Sequence, residues 1–236
     1  MTPLIIFGIG KISDVAYQHF ARDGQYQVIG FTVDRAWLAQ TDAVQRTHCG
    51  KPLIAFEDIE RHFPPESVRM FVAIGYHELN AVRARKCGEA KAKGYALASY
   101  VSPRADHGPW LDIGENCLIL DGVGIQPGVR IGNNVSLWNN VLVGHHSIIH
   151  DHSWIAAGAT LGGSVTLGER CFIGLNATVA GELQIGEASF IGAATLILKS
   201  AAARSVFVAA GTQKFRLDSD AFLRMTRMTA IGPGAS

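Results

Sequence analysis

Charge is scarce in this chain. Asp, Glu, Lys and Arg make up 17% of its 236 residues and nearly cancel, leaving a formal net charge of +1. Without a basic face there is no electrostatic footprint for nucleic acid, which is therefore not an expected partner. Long apolar runs are missing as well. No stretch approaches the ~20 residues that cross a bilayer, so no membrane span is expected. Met1-Thr2-Pro3-Leu4 puts no basic region before the first apolar segment, so no signal peptide is expected and the reading is cytoplasmic. Cysteines number four. Cys117 and Cys171 share the inward position of a repeat, three coils apart; at roughly 4.8 Å per coil they stand ~14 Å apart, beyond disulfide reach. Buried, reduced thiols are expected, which suits the same compartment.

What the chain does have is a hydrophobic fraction of 48%, ample for a core, and length enough for two domains. Most of the order lies between Ile113 and Ile197. Every sixth residue there is aliphatic: Ile113, Ile119, Ile125, Ile131, Leu137, Val143 and so on through Ile191 and Ile197, without insertion. The next residue is Gly in eight of the fifteen hexads, and the fourth is usually small or β-branched, as in Val123, Val135, Ser147 and Ala159. Helices and ordinary strands have no six-residue period. A parallel β-helix does: each hexad makes one short side, and three sides close a triangular coil. The aliphatic points inward and stacks on its equivalent eighteen residues away. The following Gly is expected to permit the turn between sides at low steric cost.

The first hundred residues read as a small parallel α/β domain. Strands are expected at Leu4–Phe7, Tyr26–Thr32, Pro52–Ile54, Arg69–Ile74 and Tyr95–Tyr100. Helices are expected from Lys11 through Ala21, over Asp58–His62 and over His77–Lys93. Gly8-Ile9-Gly10-Lys11 follows a strand and opens a helix, the context of an anion or nucleotide cradle. Ser13 replaces the third glycine of the dinucleotide fingerprint, so one nucleotide moiety is a better expectation than a nicotinamide cofactor. The other reading of Gly8 and Gly10 is close strand–helix packing alone. Asp34 ends the second strand and Gly75-Tyr76 follows another, on the ligand edge of such a sheet. The resulting division is 1–101 for the α/β domain, 102–112 for a linker, 113–200 for the β-helix and 201–236 for an extension. The extension should hold a short helix over Leu217–Met228, capped by Asp218 or Ser219, and a frayed tail from Ile231 to Ser236.

Nine histidines are present, and four of them fall in Gly144-His145-His146-Ser147-Ile148-Ile149-His150-Asp151-His152. In the hexad register His145, His146, Asp151 and His152 point outward. The chain resembles the hexapeptide-repeat acyltransferases of the sialic acid O-acetyltransferase and bacillosamine N-acetyltransferase type. The likeness covers nearly the whole length and is strongest from Ile113 to Leu198. It implies a small Rossmann-like N-terminal domain, a left-handed parallel β-helix, a homotrimer, and acetyl-CoA as cosubstrate without a metal. The implied acceptor is an amino or hydroxyl group of a nucleotide-linked sugar used for surface polysaccharide.

In that family a Gly-His step supplies the base, and Val143-Gly144-His145-His146 followed by Ile155-Ala156-Ala157-Gly158-Ala159 matches it. The resemblance thus implies His145 as the general base, with His146 orienting it where an acidic residue is common. It implies Trp154, Gly163, Leu175 and Ala193 at the coenzyme, Trp154 standing where some members carry a second His. Gly8, Gly10, Lys11, Asp34 and Gly75 are implied for the carrier part of the acceptor. Trp138 and Trp154 are expected to help form the trimer interface. Two other classes compete. A γ-class carbonic anhydrase would use His145 and His150 as zinc ligands, but the third ligand position falls at Pro109 and His107 is out of register. A non-catalytic binding module is the other.

Overall fold

The computed structural model describes residues 1–38 and 46–226. The N-terminal domain contains β1 (Thr2–Phe7), α1 (Lys11–Asp23), β2 (Tyr26–Val33), α2 (Arg35–Leu38), β3 (Thr47–His48), β4 (Lys51–Ala55), α3 (Ile59–His62), β5 (Arg69–Val72), α4 (Ala81–Ala92) and β6 (Ala96–Leu97). They form one sheet in the order β3-β4-β2-β1-β5-β6, parallel except for the β3–β4 hairpin. Strand β1 is a continuous apolar run because both its faces are covered. Leu4 and Ile6 pack with Ala16 and Phe20 of α1, whereas Ile5 and Phe7 pack with Cys87 and Ala90 of α4.

Two expectations in this domain are corrected. The β3 strand is new: two residues carry no periodicity, and only the Cys49-Gly50 turn marks them. Helix α4 begins at Ala81 rather than His77, because Glu78, Leu79 and Asn80 all take positive φ. That turn drives Leu79 and Asn80 toward the β-helix, where the Asn80 amide donates to the Cys171 carbonyl at 3.2 Å.

The last expected strand also divides. Tyr100–Val101, here β7, pairs with Leu118–Ile119 and so belongs to the β-helix. Asp106 bridges to Gly124 within the segment read as a linker, and Val206–Phe207 still pairs with Phe190–Ile191. The β-helix thus runs from Tyr100 to Phe207, beyond both expected bounds. Its sides form three parallel sheets of five, five and seven two-residue strands. The inward aliphatics, with Cys117 and Cys171, make a single buried column. All four cysteines are unpaired. Helix α5 spans Ser219–Thr226 with Asp218 accepting from the Ala221 N–H at 2.8 Å. The expected end at Met228 and the tail from Ile231 lie outside the described residues.

The glycine following each aliphatic has a different purpose from the one its position suggests. Positive φ falls two residues later, at Asn116, Asn134, Asn140, His146 and His152 among others. The glycine itself is needed for the rise between coils: a Cβ on Gly144 would lie 2.5 Å from the Gly162 carbonyl carbon and the Gly163 nitrogen.

The N-terminal domain sits on the seven-stranded face. Outward residues Trp154 and Phe172 form a cluster there with Ala156, joined by Trp138, Leu79 and Ile12. At its centre Arg83 of α4 is 2% exposed, with its guanidinium 5.1 Å from the Trp154 ring. It donates to the carbonyls of Asn134 and His152, each at 3.1 Å, and of Ser153 at 3.4 Å. A second seam is a ladder of side chains. Val72 of β5 exchanges two hydrogen bonds with the Asn116 amide, at 2.7 and 3.2 Å. Asn116 donates to Asn134, and Asn134 to His152 Nδ1, each at 2.9 Å. On the other flank Asp121 accepts from Arg22, Ser102 and Arg104, which hold its carboxyl well below the usual carboxylate range.

Candidate active site

The histidine window spans two corners of the prism. His145 and His146 occupy one corner and are exposed. His150 is exposed at the next, but Asp151 and His152 do not project freely outward as their register suggests. Asp151 accepts from the Asn133 backbone and side chain at 2.8 and 3.1 Å, stitching adjacent coils. His152 is half-buried in the ladder described above, and burial, aided by Arg83 and opposed by Asp151, lowers its pKa. His152 thus serves domain docking and Asp151 the stacking of coils.

At the first corner the local sequence fixes the geometry. Gly144 allows the coil to close onto Gly162-Gly163. His146 takes the left-handed position with φ 59°, and its ring lies over Gly128 of the preceding coil, where a Cβ would come 2.8 Å from Cδ2. The His145 N–H donates to the Gln126 side-chain carbonyl at 2.9 Å. The two rings are 5.3 Å apart and nearly perpendicular, with Nδ1 of each 3.2 Å from Nδ1 of the other. One of them is the donor, and a neutral ring that donates through Nδ1–H keeps its own Nε2 free as a base.

Gly163 stacks against His145 from the next coil. A Cβ there would lie 2.5 Å from His145 Cε1 and 2.6 Å from Nε2. Equivalent N–H groups elsewhere are claimed by side chains of the following coil: Glu115 by Asn133 at 3.0 Å, Asn133 by Asp151 at 2.8 Å. The residue following Gly163 by one coil is Gly181, which has no side chain to offer, and a Cβ there would approach the Gly163 carbonyl at 3.0 Å. The Gly163 N–H therefore has no acceptor among the described residues. Imidazole nitrogen and unclaimed amide stand together, the pair an acyl transfer needs.

The remaining expected residues separate. Leu175 and Ala193 are exposed on a different corner, eighteen residues apart and stacked on each other's coils. Trp154, expected at the coenzyme and at a subunit interface, is 3% exposed beneath the N-terminal domain, against Trp138, Tyr76 and Arg83. Trp138 is half-buried in the same cluster. The sequence register placed both rings outward, and that face is the one the N-terminal domain covers.

In the α/β domain, Gly8, Gly10, Lys11 and Gly75 gather at the carboxyl edge of β1 and β5. Gly8 has φ 123°, and a Cβ on it would strike the Ala73 carbonyl oxygen at 2.9 Å. Gly10 precedes α1 with no side-chain cap, and with the Ser13 N–H taken by the Gly10 carbonyl at 2.9 Å the Lys11 and Ile12 amides remain available to an anion. Asp34 ends β2 at the same edge, but its carboxylate turns to the α4 side and accepts from Lys86 at 2.7 Å. With Phe56, Glu57, Glu89 and Lys93 these two residues line a cavity of about 570 Å³. Lys86 was missed in the sequence, since nothing in a helix rich in Lys and Arg distinguishes it.

Residues 112–145 and 146–181 match the bacterial transferase hexapeptide (six repeats) family. No curated protein matches the chain. Among solved structures, the chain is similar to the acetyltransferase domain of PglB from Neisseria gonorrhoeae, at 24% identity and TM-score 0.73, covering 85% of this chain and 93% of that one. PerB from Caulobacter crescentus, solved with CoA and GDP-perosamine, shares 21% identity with TM-score 0.72, covering 87% and 93%. WeeI from Acinetobacter baumannii shares 19% with TM-score 0.72, covering 89% and 97%. Residues 112–181 thus match bacterial transferase hexapeptide repeats, here in a left-handed β-helix, and over 85–89% of its length the chain shares the fold of these structures.

Proposed function

We propose that this protein is an acetyl-CoA-dependent acetyltransferase acting on an amino or hydroxyl group of a nucleotide-linked sugar for surface polysaccharide. The observation that carries the reading is the His145 imidazole seated against Gly163, with its Nδ1 engaged by His146 and an unclaimed backbone N–H beside it. His145 Nδ1–H donates to His146, so Nε2 accepts the proton of the acceptor as its nitrogen or oxygen attacks the thioester carbonyl. The Gly163 N–H takes the developing oxyanion. Collapse breaks the C–S bond, and the departing thiolate of CoA recovers the proton from His145.

Transfer is direct. Burial pushes the Cys87 and Cys117 thiols up to about 12 and Cys171 up to about 11, so none of these is a nucleophile at neutral pH. Leu175 and Ala193 lie on a separate corner of the same protomer. They meet the coenzyme at His145 in a homotrimer, where a neighbour's corner is brought alongside. Exposed Leu142, Leu196 and Leu198 supply apolar surface for that contact. Gly8, Gly10, Lys11 and Gly75 hold the diphosphate of the acceptor, and the Lys86–Asp34 cavity takes its base. The activity is tested by following free thiol from acetyl-CoA with uridine-, thymidine- and guanosine-diphosphate amino sugars. Thiol release with at least one is expected; none with any, and no thermal shift with acetyl-CoA, overturns the proposal.

Gly163→Ala is expected to leave the fold intact and to lower turnover by about 10²-fold, the scale of a ~1 Å displacement of a reacting group. Its methyl would occupy the space of the His145 ring. Steady-state kinetics beside a thermal melt checks this, since a mere packing defect would shift the melt instead.

A further inference from the structure

Among the described residues, one group of three ligand-type side chains converges, and it lies away from the histidine corner: Asp14, His48 and Cys49. They come from two places in the chain. Asp14 is in the first turn of α1, and His48-Cys49 form the tip of the β3–β4 hairpin. His48 Nε2 is 2.7 Å from Asp14 Oδ1, Cys49 Sγ is 3.8 Å from that same oxygen, and the three ligand atoms lie within 4.8 Å of one another. We propose that these residues bind one divalent cation of the zinc class, clamping the hairpin to α1 with a fourth coordination position left to solvent.

The donor set selects the ion. A thiolate, an imidazole and a carboxylate together suit a borderline-soft cation, and a hard oxygen-seeking ion such as magnesium has little use for sulfur. The geometry is close to what such an ion needs. Tetrahedral ligands at ~2.0–2.3 Å from zinc stand roughly 3.3–3.7 Å apart, so His48 and Asp14 must open and Cys49 must close by about 1 Å or less. The His48 ring is already fixed, edge-on to Phe31 at 4.7 Å between centroids.

Cys49 adds a second observation. It sits at φ 48°, followed by Gly50 at φ 70°, a turn whose first position favours Gly or Asn. A cysteine held left-handed and exposed in that turn has no packing reason to be there, unlike the three buried ones. Metal binding replaces the S–H proton of Cys49: a metal–sulfur bond forms, and one proton leaves to solvent.

The test uses the full chain, stripped by chelator, reduced with a phosphine and titrated with cobalt(II). A thiolate-to-cobalt charge-transfer band is expected, saturating at one ion per chain and bleached by an equivalent of zinc. It should be absent in Cys49→Ser. In His48→Ala and Asp14→Asn the affinity should fall by more than the ~10–100-fold that loss of a supporting residue costs. Cys49→Gly suits the turn and folds irrespective of the metal; zinc should raise the melting temperature of the parent chain but not of this variant. No charge-transfer band, or a band surviving in Cys49→Ser, overturns the proposal. So does cobalt uptake without a thiolate band, which would mean that the ion binds without Cys49.

Discussion

Replacing His145 by Ala is expected to lower acetyl transfer by about 10²–10⁴-fold, the usual contribution of a general base, while acetyl-CoA binding and the melting temperature should stay close to those of the parent. The imidazole is exposed, contacts a glycine and a neighbouring ring, and fills no core, so its removal leaves no cavity. His146→Ala costs less than His145→Ala. It removes the Nδ1 partner that sets the tautomer, but not the base itself. Single-turnover rates, with coenzyme binding measured in parallel, separate the two. A dead His146→Ala beside a near-normal His145→Ala would shift the base by one residue. Activity in both variants would remove the corner from the mechanism.

Arg83→Ala has the largest expected effect on stability, about 3–5 kcal/mol by denaturant unfolding. Three carbonyls of the β-helix, those of Asn134, His152 and Ser153, receive the guanidinium. Truncation removes that donor from the Asn134 and His152 carbonyls, while the Ser153 carbonyl keeps the Ser136 N–H at 3.0 Å, and it opens a void against Trp154. An opposing effect reduces this cost. Burial pulls Arg83 down to about 10, and no carboxylate offsets its charge. The charge remains at neutral pH, so the hydrogen bonds outweigh the desolvation cost only because several converge on one group. Arg83→Met keeps most of the volume and discards the buried charge, so it should lose less than the Ala variant. A methionine variant more stable than the parent would mean that desolvation wins. Because Arg83 joins the two domains, Ala should also split a single unfolding transition into two.

The β-helix was legible because its rule is local: an aliphatic every six residues needs no knowledge of distant chain. So were β1, α1 and β2, where apolar runs meet turn glycines, and the Gly144-His145-His146 step, whose outward direction follows from the same register. What the period could not state is which outward face another domain would cover. Trp154 and His145 have equivalent claims to the surface in sequence, yet one is enclosed and the other exposed. That difference is set by where the N-terminal domain lands, through Arg83, Asn80 and Val72 meeting residues 44 to 91 positions away. The same holds for Asp34, whose carboxylate is claimed by a lysine 52 residues on, and for Asp14, His48 and Cys49. Contacts of this kind rest on the juxtaposition of whole elements, and a side chain's own neighbours in sequence carry no trace of them. The sequence by itself determined the coil, its column of inward aliphatics and the chemistry it can display at a corner. The tertiary structure decided which displayed residues stay free to use it.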